Sequence, residues 1–308
     1  MHALIGIAAV FVAILGGFLL EKGNLYVLFQ PAELLIVGGA ALGIVMVANP
    51  PGLIRKIWRG ALEVFRPPAR TPQSFLRNLR MLYEVFSFIQ RAGIQEFERD
   101  VESPEDSRIF ANHPEFLKDR EARDFLCDSL RMLVVGMTTP ADLDRLMDLD
   151  IEVQRHSRQE AVAALHAMAD ALPGLGIVAA VLGVVITMQA IGGAPELIGQ
   201  KVAAALVGTF LGILLCYGVV GPIASRLEKL GETESQWLNV VRIAMVAFAR
   251  GASPILAVEY ARRSIPVDLR PGFVDMELTI KRDARIPPAP KLNLPMAPEA
   301  SDAQTQPA

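Results

Sequence analysis

Apolar residues fall in four long runs, and the charged residues lie almost wholly between them. The first run, residues 3–20, is unbroken by any charge, and a polar turn, Glu21-Lys-Gly-Asn24, separates it from the second, residues 33–48. The third and fourth, residues 172–188 and 202–222, form a hairpin with no Asp, Glu, Lys or Arg inside either arm. At about 1.5 Å of rise per residue each run is close to the length that crosses a hydrocarbon layer of roughly 30 Å. Four membrane-spanning helices are predicted. The first run could be a signal peptide, but no Lys or Arg precedes it and no small-x-small cleavage site followed by a polar start is evident, so it reads as a span.

Between the second and third runs the period changes from continuous to amphipathic. Thr71-Pro72 is an N-cap and N1 pair, followed at helical spacing by Leu76, Leu79, Leu82, Tyr83 and Phe86. A second start signal is Thr139-Pro140 with Asp142 at N3, before Leu143, Leu146 and Met147. After the fourth span the helix is expected to continue through Arg226, with Gly231 and Gly251 as weak points, and a short helix follows over 254–263. From Pro287 the chain is rich in Pro, Ala and Gln and is expected to be disordered. The expected organisation is a membrane hairpin over 1–49, a soluble helical domain over 50–169, a second hairpin over 170–224, soluble helices over 225–286 and a tail over 287–308. The fold class is therefore all-α, four transmembrane helices with a helical domain inserted between the second and third.

Basic residues set the orientation. Arg55, Lys56, Arg59, Arg66 and Arg70 follow the second span and Arg226 and Lys229 follow the fourth, whereas the two short loops carry only Lys22 and Lys201. Both termini and the inserted domain are expected in the cytoplasm, where an exposed Cys127 would remain a free thiol.

Composition narrows the functional classes. A 308-residue chain with 52% hydrophobic residues and mean hydropathy +0.36 is too apolar for an ordinary soluble enzyme, and 20% charged residues is too many for a bare membrane bundle. A net charge of −3 gives nucleic acid no basic surface to bind. Cys127 and Cys216 lie far apart, and the four histidines show no ligand spacing, so neither a disulfide framework nor a metal site is indicated. No phosphate loop, nucleophile elbow, HExxH or dinucleotide fingerprint occurs, so neither catalysis nor a cofactor is expected.

The hairpin carries the remaining information. Gly176, Ala179, Ala180, Gly183 and Thr187 make a small-residue stripe on its first arm, and Ala204, Gly208, Gly212 and Cys216 make one on its second. Pro173 and Pro222 bracket the pair on one side of the membrane. They read either as a tolerated N1 proline and a tolerated interruption or as a hinge pair, with Asp170 beside the first. Neither arm holds a mid-membrane acid, and Glu33 and Asp170 lie at the span edges, so an ion pathway here needs a titrating group from another chain.

The stretches 173–185 and 207–218 with Pro222 resemble the third and fourth transmembrane helices of the MotA family, the channel subunits of the bacterial flagellar stator. The resemblance recurs at Gln30-Pro-Ala-Glu-Leu34, Glu98-Arg-Asp100, Ile109-Phe-Ala111 and Ala257-Val-Glu259, and covers nearly the whole chain up to about Pro287. It implies a ring of five copies in the bacterial inner membrane around a dimer of a single-span partner, MotB, whose aspartate carries the ion, and torque on the rotor protein FliG. Thr209 matches a pore-lining threonine; by itself it is equally an ordinary hydroxyl bonded back to the carbonyl of residue 205. Sodium-type relatives resemble this sequence except for a hydroxyl residue at the Ala180 position, so proton transport is implied. Glu98 matches an acidic contact to FliG, although a charge on such a helix is most often solvated surface. The family's basic contact falls on Gln90, with Arg91 adjacent, and Asp150 matches a further acidic position. Two alternatives are an energising subunit of the TolQ/ExbB type, against which a fourth span argues, and a membrane scaffold without ion flux.

Overall fold

In hydrocarbon a helix alone satisfies its own backbone without water, and all four apolar runs fold accordingly. The computed structural model describes residues 2–67, 70–136, 138–189, 192 and 194–283. In chain order the helices are α1 His2–Leu20, α2 Leu25–Leu28, α3 Pro31–Ala48, α4 Pro51–Glu63, α5 Pro72–Ala92, α6 Glu98–Glu102, α7 Arg108–Ala111, α8 Pro114–Lys118, α9 Arg120–Val135, α10 Pro140–Met188, α11 Pro195–Leu215, α12 Gly221–Ala249, α13 Pro254–Ser264 and α14 Phe273–Asp283. Every regular element among the described residues is helical. Four stretches are long and apolar enough to span a membrane: Ala3–Leu20, Leu25–Ala48, and parts of Pro140–Met188 and Pro195–Ala249.

Two long rods dominate. No helix begins at Pro173: α10 runs unbroken for 49 residues from Pro140 and carries that proline in its interior. The fourth span passes through a π-turn at Cys216–Val220 directly into the 29-residue α12. Gly231 does not interrupt α12, since its open side faces the Arg158 stem; Gly251, at φ +90°, does end it. The boundaries expected near 169 and 224 therefore fall inside continuous helices.

The caps read from sequence form as capping chemistry requires. Thr71 accepts the Ser74 N–H at 3.2 Å and Ser74 Oγ accepts the Thr71 N–H at 2.8 Å, a reciprocal box. At Thr139 the hydroxyl accepts the Asp142 N–H at 3.2 Å and donates to the Asp142 carboxylate at 2.6 Å.

Outside the spans, α5, α9, α12 and α13 share one apolar core around Phe75, Leu82, Phe86, Leu126 and Trp237. Phe86 stacks on Phe248 at 4.5 Å and Phe75 meets the Trp237 edge at 5.8 Å. Cys127, expected to be exposed, is instead 2% accessible in this core, and burial pushes its thiol up to about 12. Arg70 ties the domain to the rods: it bonds Asp119, the N-cap of α9, and Glu234 of α12, and its guanidinium lies 5.3 Å over Trp237. Burial opposes that charge, but the two carboxylates hold its pKa above the ordinary arginine value. The tail expected over 287–308 lies outside the described residues.

Candidate functional site

Small residues let α10 and α11 approach until backbone meets backbone. A Cβ on Gly176 would fall 2.8 Å from the Gly208 carbonyl oxygen, and one on Gly212 would fall 2.5 Å from that of Leu172. A Cβ on Gly183 would stand 2.6 Å from that of Ala205. The second stripe is therefore Ala205, Gly208 and Gly212; Ala205 is buried, and Ala204 is half-buried beside the contact face.

Ala180 and Thr209 both stand at this seam. The Ala180 nitrogen lies 3.2 Å from the space a Gly208 Cβ would take, and the Thr209 hydroxyl reaches across to the Gly176 carbonyl at 3.5 Å. At that length the bond is weak, and it joins the two spans instead of returning to residue 205. Thr187 does bond back, to the Gly183 carbonyl at 2.8 Å.

Sequence reasoning missed Glu33 at this seam. It stands at the edge of its span in sequence, in the first turn of α3, yet it is 8% exposed and its carboxylate lies against both Gly183 and Gly208. Its Oε2 is buried without a hydrogen-bond partner. The signal was present: Glu33, Val37, Ala41 and Val45 recur every fourth residue and together form the buried face of α3. An acid of this chain thus sits beside the small residues of the α10–α11 seam.

The two prolines do not lie side by side. Leu172 is opposite Gly212, while Ala224 clusters with Ala161, Ala164 and Leu165. In this antiparallel register Pro222 stands two to three turns, about 14 Å, nearer the soluble domain than Pro173. Each removes one helical N–H. At Pro222 the helix answers by widening: the Gly221 N–H bonds the Cys216 carbonyl, closing the π-turn. Asp170 is exposed one turn before Pro173 and has no hydrogen-bond or ion-pair partner among the described residues.

On the soluble domain, Gln90 and Arg91 are exposed in the last turn of α5 and Glu98 is exposed at the start of α6. Gly93, at φ +93°, ends α5 between the first two and Glu98. Arg91 Nε donates to the Ser87 carbonyl at 3.0 Å. Asp150 lies elsewhere, on α10, where it accepts from Gln154 at 3.0 Å. No hydrogen bond or ion pair among the described residues joins it to the other three.

Among the described residues no cluster of His, Cys, Asp or Glu is arranged to hold a metal. His113, a candidate for nothing in the sequence, bonds Glu84 at 3.0 Å. Burial raises the Glu84 pKa, but the bonds from His113 and Arg80 outweigh it and leave the carboxyl below its ordinary value.

Comparison with known proteins gives a consistent picture. Residues 4–93 match the model described as Motility protein A N-terminal, and residues 117–239 match the MotA/TolQ/ExbB proton channel family. The chain is 34% identical to Motility protein A of Salmonella typhimurium over 277 residues, 90% of this chain and 94% of the relative. In fold it is similar to the C. jejuni MotAB structure, with TM-score 0.72 and 19% identity over 87% of this chain and 96% of that one. The flagellar MotAB stator complex of Bacillus subtilis gives TM-score 0.68 and 23% identity over 85% and 95%.

Proposed function

The chain belongs to the motility protein A family of flagellar stator proton channels, and from that premise we propose how its parts divide the work. It spans the bacterial inner membrane with both termini in the cytoplasm, five copies ring a MotB dimer, and the ring drives FliG. Protons pass along the α10–α11 seam lined by Ala180 and Thr209, on an aspartate supplied by MotB. Glu33 offers a second carboxylate at the loop end of that seam. Pro173, Asp170 and Pro222 pass the local change to α10 and α12, and Glu98, with Gln90, Arg91 and Asp150, meets the rotor.

One observation supports this division best: α10 runs without a break, and α11 passes through the π-turn into α12 without a loop, from the glycine-packed seam into the soluble domain. A displacement at the seam is then carried by two helices rather than lost in a loop. One charge crossing about 150 mV releases roughly 3.5 kcal/mol, enough to move a two-state element from about 1:20 to 20:1. An energising subunit of the TolQ/ExbB type has three spans; four here favour the stator.

The lining decides the ion. Sodium needs several oxygens to replace its hydration shell, whereas a proton needs only a carboxylate and water. Thr209 is a single hydroxyl, already turned to Gly176. In cells with this stator alone, motor speed should collapse with a protonophore and ignore external sodium. Speed that follows sodium at fixed pH would overturn the assignment.

A further inference from the structure

α4 leaves α3 after only Asn49 and Pro50, so it starts where a membrane span ends. It presents three faces. The first packs on the rods: Ile57 clusters with Val45, Ala164, Leu165 and Ala224, and Gly60 is so close that a Cβ would fall 2.9 Å from the Leu227 side chain. The second is apolar and uncovered. Ile54, Trp58 and Leu62 follow at four-residue spacing, with Trp58 56% and Leu62 61% exposed. The third, adjacent to the second, carries Arg55 and Arg59, with Glu63 at its end; Arg66 follows three residues beyond α4, and the three arginines are exposed and have no hydrogen-bond or ion-pair partner for their side chains among the described residues. Lys56 lies away from them and is held by Ser157 at 2.7 Å.

We propose that this uncovered side of α4 is a seat for anionic phospholipid in the leaflet facing the soluble domain. The inference rests on the membrane reading above. Trp58 and Leu62 enter the interfacial layer, where an indole finds both apolar chains and polar carbonyls. Arg55, Arg59 and Arg66 then face the phosphodiesters, which planar guanidinium groups bind in paired hydrogen bonds. Two features favour lipid over a protein partner. The chain comes out of the bilayer two residues earlier, and three exposed arginines outweigh the one exposed acid, Glu63, beside the apolar stripe, as a negative leaflet surface requires. Because the opposite face of α4 grips α10 and α12 near the level of Pro222, the lipid seat fixes the depth at which the rods cross the interface.

The test uses the full chain with its partner subunit in nanodiscs of phosphatidylcholine that contain a minor, equal share of either brominated phosphatidylcholine or brominated phosphatidylglycerol. The chain has two tryptophans, and Trp237 is 0% exposed in the soluble core, so the part of the quenching that is lost in W58F reports Trp58. The brominated anionic lipid should be preferred over the zwitterionic one by about fivefold for each contacting arginine, the equivalent of about 1 kcal/mol. The triple variant R55Q/R59Q/R66Q should lose the preference, R59Q alone should lose part of it, and W58F should lose the quenching. Equal quenching by the two lipids would leave an apolar seat without headgroup recognition and overturn the proposal. Quenching by neither would mean that a second copy covers Trp58, and would overturn it as well. Quenching reads neither sidedness nor torque, so a failed stator assignment would appear in motor speed and leave this result unchanged.

Discussion

The Glu33 carboxylate occupies the space above Gly208: a Cβ there would fall 2.7 Å from Oε2 and 2.9 Å from the Ala179 Cβ. The absent side chain at Gly208 is what lets an acid from α3 reach the seam between α10 and α11. Gly208→Ala should therefore displace Glu33 or part the helices, at an overpacking cost of about 1–3 kcal/mol, and lower proton flux while insertion persists. Glu33→Gln keeps the volume and should lower flux without loosening the seam. Native flux in Glu33→Gln vesicles would remove this carboxylate from the pathway.

For the two prolines, the expected phenotype is uncoupling. Pro173→Ala restores an N–H to the middle of α10, and Pro222→Ala removes the reason for the π-turn at Cys216–Val220. Both variants should insert and co-purify with the partner subunit yet produce no torque in a tethered-bead assay. Loss of assembly would make the prolines packing residues only.

Charge reversal tests the rotor surface. Glu98 is exposed at the start of α6, so Glu98→Lys should leave the fold intact and impair swimming. A compensating acidic substitution on FliG should partly restore motility, as complementary surfaces require. Unchanged swimming in Glu98→Lys would place the contact elsewhere.

Acid should loosen the α13 end of the soluble domain. Hydrogen bonds from Arg262 and Arg263, against the opposing effect of burial, hold Glu259 at about 2, below its ordinary 4.5. A carboxyl depressed in the folded state adds stability that is complete above its unfolded pKa and fades as pH falls from about 4.5 towards about 2. Glu259→Gln should lower the melting temperature at pH 7, and the gap from the native chain should narrow by pH 3. A gap that stays constant with pH would show that the ion pairs contribute nothing.

Much of the fold was legible in the chain. The four spans, the caps at Thr71 and Thr139 and the amphipathic face through Leu79, Leu82 and Phe86 follow from length, capping chemistry and period, which are local properties. The continuity of α10 was not. A proline inside an apolar run reads as a boundary, and only packing on α11 and α3 keeps the helix whole through Pro173. The burial of Cys127 was hidden for a similar reason: α9 packs against α6, α8, α10 and α12, and its sequence does not say which side each covers.

The sequence by itself determined that this protein is a membrane-embedded helical chain, which small-residue stripes can pack, and which residues Ala180, Thr209, Pro173 and Pro222 stand in those stripes or beside them, because hydrophobic length and helical spacing are written residue by residue. Only the tertiary structure decided that Glu33 reaches Gly208, that the two prolines lie at different depths, and that the hydroxyl of Thr209 turns to Gly176. Those facts depend on the register between helices, which is set by the glycines at which two backbones can touch and not by any property of one helix alone.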